Sequence, residues 1–371
     1  MYRVNRRGAF VALATLLSIP SVVVAADRSG HRGGGDTVYT MSNATDANRI
    51  LVFVRHRGAL EAAGSHLTGG RGTGGGLGNQ GAVVLTSDEQ FLLAVNAGSN
   101  DVSVFEVRDE TLRLIGTTPA GGTRPVSVAV DRDLAYVLNA GSDDITGFHL
   151  GEYGRLSPLP GSRRALSGTG TGPAQISFSR DGRTLVVTEK ATNNLVTFPL
   201  DRDGIAESRL LFPSPGQTPF GFAFGKRRQL IVSEAAGGAP NASSLTSWRL
   251  NRRGELSIVD PTVPTLQSAA CWVVITPDGQ FAYTSNTGSN TISGFRVRAN
   301  GRLVPLDAGG VTASTGAGPI DLALNAGGRV LYSLNGGGRT IDAFRVLEDG
   351  ALETLTSIGG LPAGANGLAV R

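Results

Sequence analysis

Six segments of the 371-residue chain run a short apolar stretch into the same polar stop. They read FLLAVNAGSNDVSVFEV (91–107), AYVLNAGSDDITGFHL (135–150), TLVVTEKATNNLVTFPL (184–200), QLIVSEAAGG with TSWRL (229–250), FAYTSNTGSNTISGFRV (281–297) and VLYSLNGGGRTIDAFRV (330–346). A unit of that length cannot bury its own apolar face, so the copies must pack on one another. The stops fall at Asn96, Asn139, Glu189, Glu234, Asn286 and Asn335, with spacings of 43 to 52 residues. An irregular period in the forties is that of four-stranded propeller blades.

Each unit parses alike. A first strand opens at Pro125, Pro173, Pro219, Cys271 or Pro319, and a tight turn follows, such as SRDGR (179–183), TPDGQ (276–280) or NAGGR (325–329). Asp-Gly and Gly-Gly supply the positive φ such turns need. A second strand ends at the stop, a third carries Ile-x-x-Phe, and a short fourth completes the blade. At the N-terminal end, TVYTMSN (37–43), ILVFV (50–54) and ALEAAG (59–64) supply a second, third and fourth strand without a first; NGLAV (366–370) is a first strand with nothing after it. Joined, they complete a seventh unit. The expectation is an all-β, seven-bladed propeller of four-stranded antiparallel blades over 37–371, closed by strands from both ends in one shared blade. Closure removes exposed sheet edges. The Gly-rich run GGRGTGGGLG (69–78) lacks the Gly-Lys-Ser/Thr ending of a phosphate loop and reads as a spacer.

Residues 1–26 read as a cleavable export signal. Arg3, Arg6 and Arg7 precede the apolar run 8–24, and Val24-Ala25-Ala26 fits signal peptidase. Either the general or the twin-arginine route would serve. Residues 27–36 then form a flexible lead-in, and the mature protein is expected to be periplasmic or secreted. Taking the leader's three arginines from the formal charge of +4 leaves +1. With no basic stripe interleaved with aromatics, nucleic acid is not an expected partner. No second apolar run is long enough to span a bilayer. The single cysteine, Cys271, excludes an intramolecular disulfide framework and reads as a buried structural thiol, with no His placed to activate it as a nucleophile. A soluble monomer taking a small-molecule substrate is the expectation.

The blade text Tyr136-Val-Leu-Asn139-Ala-Gly-Ser-Asp-Asp-Ile-Thr-Gly-Phe148, with Pro-Asp-Gly at 277–279, resembles the seven-bladed propeller lactonase family. That family includes bacterial 6-phosphogluconolactonases and fungal carboxymuconate cyclases, and YVTN-type propellers share the text. The resemblance spans 37–371 and implies hydrolysis or isomerisation of a small cyclic ester. Family members place a His beside the Pro that opens a channel strand. Here the matching residues are Val126, Ala174, Phe220, Cys271 and Ile320, so that mechanism does not carry over.

In a propeller the stops and the Pro-led openings converge on one channel mouth. Asn tolerates left-handed geometry and bonds its own turn, so the Asn stops read either as turn devices or as a ring of donors. Glu lacks that preference. Glu189 and Glu234, in adjacent blades, are therefore the candidate catalytic pair, one raised in pKa and the other activating water; the alternative is loop carboxylates paired with Lys190 or an Arg. Asn139, Gln175, Lys190, Trp272, Asn286, Asp321 and Asn335 are the candidate substrate-binding residues. Gln175, Asn139 and Asn286 serve as oxyanion donors, and Trp272 as an apolar wall or a core indole. Arg124 is the evident anion ligand. No cofactor is expected. A rival reading has Glu189, Glu234 and Asn286 hold Ca²⁺ in a metal-dependent lactonase, as divalent ions sit at the mouth of regucalcin-type propellers. The other rival is a non-catalytic extracytoplasmic propeller that binds a ligand or partner protein. The long loop 235–247 is a lid or a surface insertion.

Overall fold

The computed structural model describes residues 35–371. The expected leader, and all but the last two residues of the expected lead-in, lie outside them.

The described chain forms seven antiparallel sheets, one per blade. Blade one pairs the C-terminal strand Asn366–Val370 with Thr37–Met41, then Arg49–His56 and Ala59–Leu67. Its register sets Val38 against Val370 and Tyr39 against Ala369. Blades two to seven follow in chain order, with innermost strands Val83–Leu85, Pro125–Asp131, Pro173–Phe178, Pro219–Phe224, Ala270–Ile275 and Pro319–Leu324. Each innermost strand packs on the next, right round to Asn366–Val370, so the ring is closed. Among the described residues the helical content is one 3₁₀ turn, Ala236–Gly238, in the long loop after Glu234. Asp36, at the end of the expected lead-in, takes a bidentate contact from Arg55 (3.1 and 2.9 Å) and a hydrogen bond from the Tyr332 hydroxyl (2.5 Å). It thereby ties blade one to blade seven.

Neighbouring blades are joined through their second strands. Second strands are buried along their whole length in blades two, four, five, six and seven. Tyr136 and Tyr283, at one position of this strand, donate to the carbonyls of Gly204 (2.7 Å) and Gly350 (2.8 Å) in the next blade's outer turn. Those glycines have no room for a side chain. A Cβ on Gly204 would lie 2.4 Å from Leu134, and one on Gly350 2.4 Å from Phe281. Their φ of 78° and 94° is also left-handed, so glycine is required twice over.

Candidate active site at the channel mouth

Register puts the stops where the sequence places them, at the end of the channel where first strands begin. Pro125 pairs with Asn139, Pro173 with Glu189, Pro219 with Glu234, Ala270 with Asn286 and Pro319 with Asn335. Their side chains, however, are engaged against the third strand and the loop leading into the blade, and the Asn96 oxygen also accepts from Asn48 of blade one (2.9 Å). Asn96 donates to Asp101 (2.6 Å) and Ser103 (2.7 Å), and Asn139 to Asp144 (2.9 Å). Asn286 donates to Thr291 (3.0 Å) and Ser293 (2.9 Å), and Asn335 to Thr340 (2.9 Å) and Asp342 (2.7 Å).

The two glutamates differ because their neighbours differ. Glu189 accepts from the Ser167 amide (2.9 Å), the Ser167 hydroxyl and the Thr192 hydroxyl (2.5 Å). Glu234 accepts from the hydroxyls of Ser214 (3.0 Å), Ser244 (2.5 Å) and Thr246, and from the Gly216 amide (3.3 Å). These surroundings offer donors, which a carboxylate satisfies. Where the third strand carries Asp101, Asp144 or Asp342, the stop must itself donate, and Asn does. Both carboxylates are fully buried, and they share no hydrogen-bond partner. The structure does not bring Glu189 and Glu234 together over a common ligand.

The polar residues of the first strands are likewise engaged, stitching one blade to the next. Ser127 accepts from the Ile176 amide (3.2 Å). Gln175 pairs with both backbone groups of Phe222, at 2.7 and 3.0 Å. Asp321 accepts from the Leu322 and Leu368 amides; burial, opposed by those two bonds, pushes its carboxyl well above the usual range.

The mouth itself is occupied by a segment that begins in the last two residues of the run 69–78, read from sequence as a spacer, and continues past it. Residues 77–81 cross the channel before blade two begins. The Asn79 amide side chain donates to the Val126 carbonyl, and the Gln80 backbone N–H to the Ala174 carbonyl (3.0 Å). The Gln80 carboxamide reaches blade six, where it pairs with the Val273 carbonyl (3.1 Å) and amide (3.3 Å). Trp272 is 3% exposed; its indole donates to the Asn79 carbonyl (2.6 Å) and its ring stacks obliquely on Phe220 at 5.0 Å.

Lys190, one residue past the Glu189 stop, is the charged side chain turned into this mouth. It donates to the Gly78 carbonyl and lies 4.6 Å from the Phe220 ring centre. Among the described residues it has no salt-bridge partner. Burial is the main cause of its lowered pKa, about 8; the nearness of Cys271 opposes that shift and Arg124 adds to it. Burial also pushes the Cys271 thiol up to about 11, against Thr287 and Lys190, so near neutrality the thiol is protonated and the opposing pull on Lys190, which needs the thiolate, is absent there. From sequence Lys190 was a candidate substrate-binding residue and a possible electrostatic partner of Glu189; the structure turns it away from Glu189 and toward Gly78 and Phe220. The alternation of the strand carried the signal for that direction: one step past an inward-bonded stop, the side chain faces the mouth.

The model of the family described as "Lactonase, 7-bladed beta-propeller" matches residues 35–165 and 241–365. The chain belongs to that family. The unmatched stretch between the two segments carries Glu189, Lys190, Phe220 and Glu234. No curated protein gives a significant match. Among solved structures, a putative 6-phosphogluconolactonase from Bacteroides fragilis NCTC 9343 is similar at 19% identity and a TM-score of 0.72, covering 91% of this chain and 98% of its own. One from Bacteroides uniformis ATCC 8492 is similar at 18% identity and a TM-score of 0.72, covering 90% and 99%. A Pseudomonas aeruginosa periplasmic gluconolactonase is similar at 15% identity and a TM-score of 0.70, covering 90% and 98%. At those identities the likeness is one of fold.

The residues offered for Ca²⁺ do not fit a shared ion. The carboxylate oxygens of Glu189 and Glu234 face N–H and O–H donors where a cation would need free lone pairs. Of the three residues only Asn286 keeps a buried, unpartnered carbonyl oxygen, as Asn79 and Asn139 do elsewhere, and one free oxygen does not make a coordination shell. Among the described residues no group of three or more His, Cys, Asp or Glu is placed to hold a metal.

Proposed function

We propose that this propeller works outside the cytoplasm and acts on a small cyclic ester at the channel mouth, by hydrolysis or lactone isomerisation, with Lys190 as the working residue. The observation that carries the reading is a half-buried lysine with no carboxylate partner and a pKa of about 8. A useful fraction of free amine then exists near neutrality. That amine can take a proton from the water attacking the ester carbonyl, and the protonated form can steady the resulting oxyanion. Arg124, exposed and close enough to depress the Lys190 pKa, suits a carboxylate or phosphate on the substrate. In this reading the base moves one residue along, from Glu189 to Lys190, while Glu189 and Glu234 hold their blades rigid. Membership of the lactonase family supports the substrate class.

A second reading, a non-catalytic binding module, is favoured by one feature: residues 77–81 already fill the mouth with hydrogen bonds of their own. Turnover on a panel of five- and six-membered sugar lactones separates the two. We expect a rate that rises as pH passes through about 8, falls about 100-fold in Lys190→Met and persists in Glu189→Gln and in EDTA. Full activity in Lys190→Met would remove the proposed base, and no turnover on any lactone would leave the binding module.

A further inference from the structure

The far end of the channel, where first strands turn into second strands, carries a feature that the lactonase reading does not use. In blades four, six and seven this turn places Gly182, Gly279 and Gly328 at φ of 69°, 74° and 65°. In blade five it reads Gly225-Lys226-Arg227-Arg228, closed by the Gln229 amide on the Lys226 carbonyl (3.1 Å). Arg227 and Arg228 both adopt left-handed φ, 54° and 61°. Among the described residues these are the only two consecutive non-glycine residues to do so. Blades two and three place one left-handed non-glycine residue at this turn, Glu89 and Arg132; side chains with a Cβ disfavour that conformation, and blade five carries two in succession.

The two arginines diverge. Arg228 pairs with Asp181 of blade four at 2.6 Å. Arg227 crosses to blade six and donates to the Ala299 carbonyl (3.0 Å), and Arg249 donates to the neighbouring Asn300 carbonyl (3.2 Å). Both guanidinium groups are thus fixed on the rim of a cleft of about 310 Å³ between blades five and six, lined also by Lys226, Arg298, Asp278 and Gln280. The one carboxylate there is largely consumed by its own turn, accepting from the Thr276 hydroxyl (2.6 Å), the Gln280 amide (2.9 Å) and the Gln280 side chain (2.9 Å). Among the described residues Lys226, Arg227, Arg249 and Arg298 have no salt bridge. Fixed, unpaired guanidinium groups in a concave site are suited to a tetrahedral dianion.

We propose that this cleft binds a phosphate or sulfate monoester of about monosaccharide size, at a site separate from the mouth. Titration calorimetry at low salt with glucose 6-phosphate, glucose 6-sulfate, inorganic phosphate and glucose tests it, and comparing the two esters identifies the preferred head group. We expect at least one ester to bind, glucose not to bind, and the double variant Arg249→Gln/Arg298→Gln to weaken the ester at least about 10-fold. Both positions are exposed, and an unchanged melting temperature will show that the variant is folded. Lys190→Met should bind the ester as the wild type does; loss of binding there would place the ligand at the mouth and overturn the proposal. So would ester binding that is unchanged in the double variant, absent at about 10 mM, or matched by inorganic phosphate alone.

Discussion

The account of Glu234 as a structural carboxylate makes a quantitative demand. Its side chain is fully buried and takes hydrogen bonds from three hydroxyls and the Gly216 amide. Bonds to a charged group contribute about 1.5–3 kcal/mol each, and a donor stranded in the interior costs about 1–3 kcal/mol. Hydroxyls can rotate to other partners, whereas the Gly216 amide cannot. Glu234→Ala should therefore cost about 4 kcal/mol, a large part of the 5–15 kcal/mol typical of a folded protein. Glu234→Gln keeps the shape and one acceptor oxygen, and its amide can face a hydroxyl oxygen, so about 1–2 kcal/mol is expected. Urea unfolding measures both: the midpoint should fall in that order at constant slope. Turnover per folded molecule should survive in Glu234→Gln. The reasoning fails if Glu234→Ala unfolds within about 1 kcal/mol of the wild type, or if Glu234→Gln keeps full stability but loses turnover.

Two further expectations follow from the same geometry. Asn139→Asp would set a second buried carboxylate about 2.9 Å from Asp144, turning a donor into a like charge; a loss of about 3 kcal/mol or more is expected in urea unfolding. Lys190 titrates at about 8 in the folded protein against an ordinary 10.5, so between those values the unfolded chain holds more protons and stability must rise with pH. The full swing is about 3 kcal/mol, and Lys190→Met should flatten the stability profile between pH 8 and 10.5.

Blade number, strand order and the shared blade were legible because a repeated apolar pattern with glycine turns permits few other packings. The position of the stops was legible too, but not the direction of their side chains. That direction had a written cue: Asn96, Asn139 and Asn335 have an acid five or seven residues on, at Asp101, Asp144 and Asp342, whereas Glu189 and Glu234 are followed by Asn194 and by Ser244 and Thr246. The cross-channel segment could not be read. Gln80 and its partner Val273 are 193 residues apart, and nothing local in a glycine-rich run reports so distant a contact. Asp321, Gln175 and Trp272 were rightly placed on first strands, but a single blade's text does not show that the next blade's backbone, or the crossing segment, will take up their hydrogen bonds.

The pairing of Thr37–Met41 with Asn366–Val370 acts as a clasp whose two halves are among the most distant parts of the described chain. Thr37 and Arg371 exchange two backbone hydrogen bonds of 2.9 Å, and neither can form until the whole intervening chain exists. Until then the blades can stack only as an open arc with bare strands at each end, which invite pairing with other chains. Completion must wait for a contact of very high sequence separation, the kind that slows folding most. A handful of C-terminal residues therefore decides whether the earlier blades remain a crescent or become a circle.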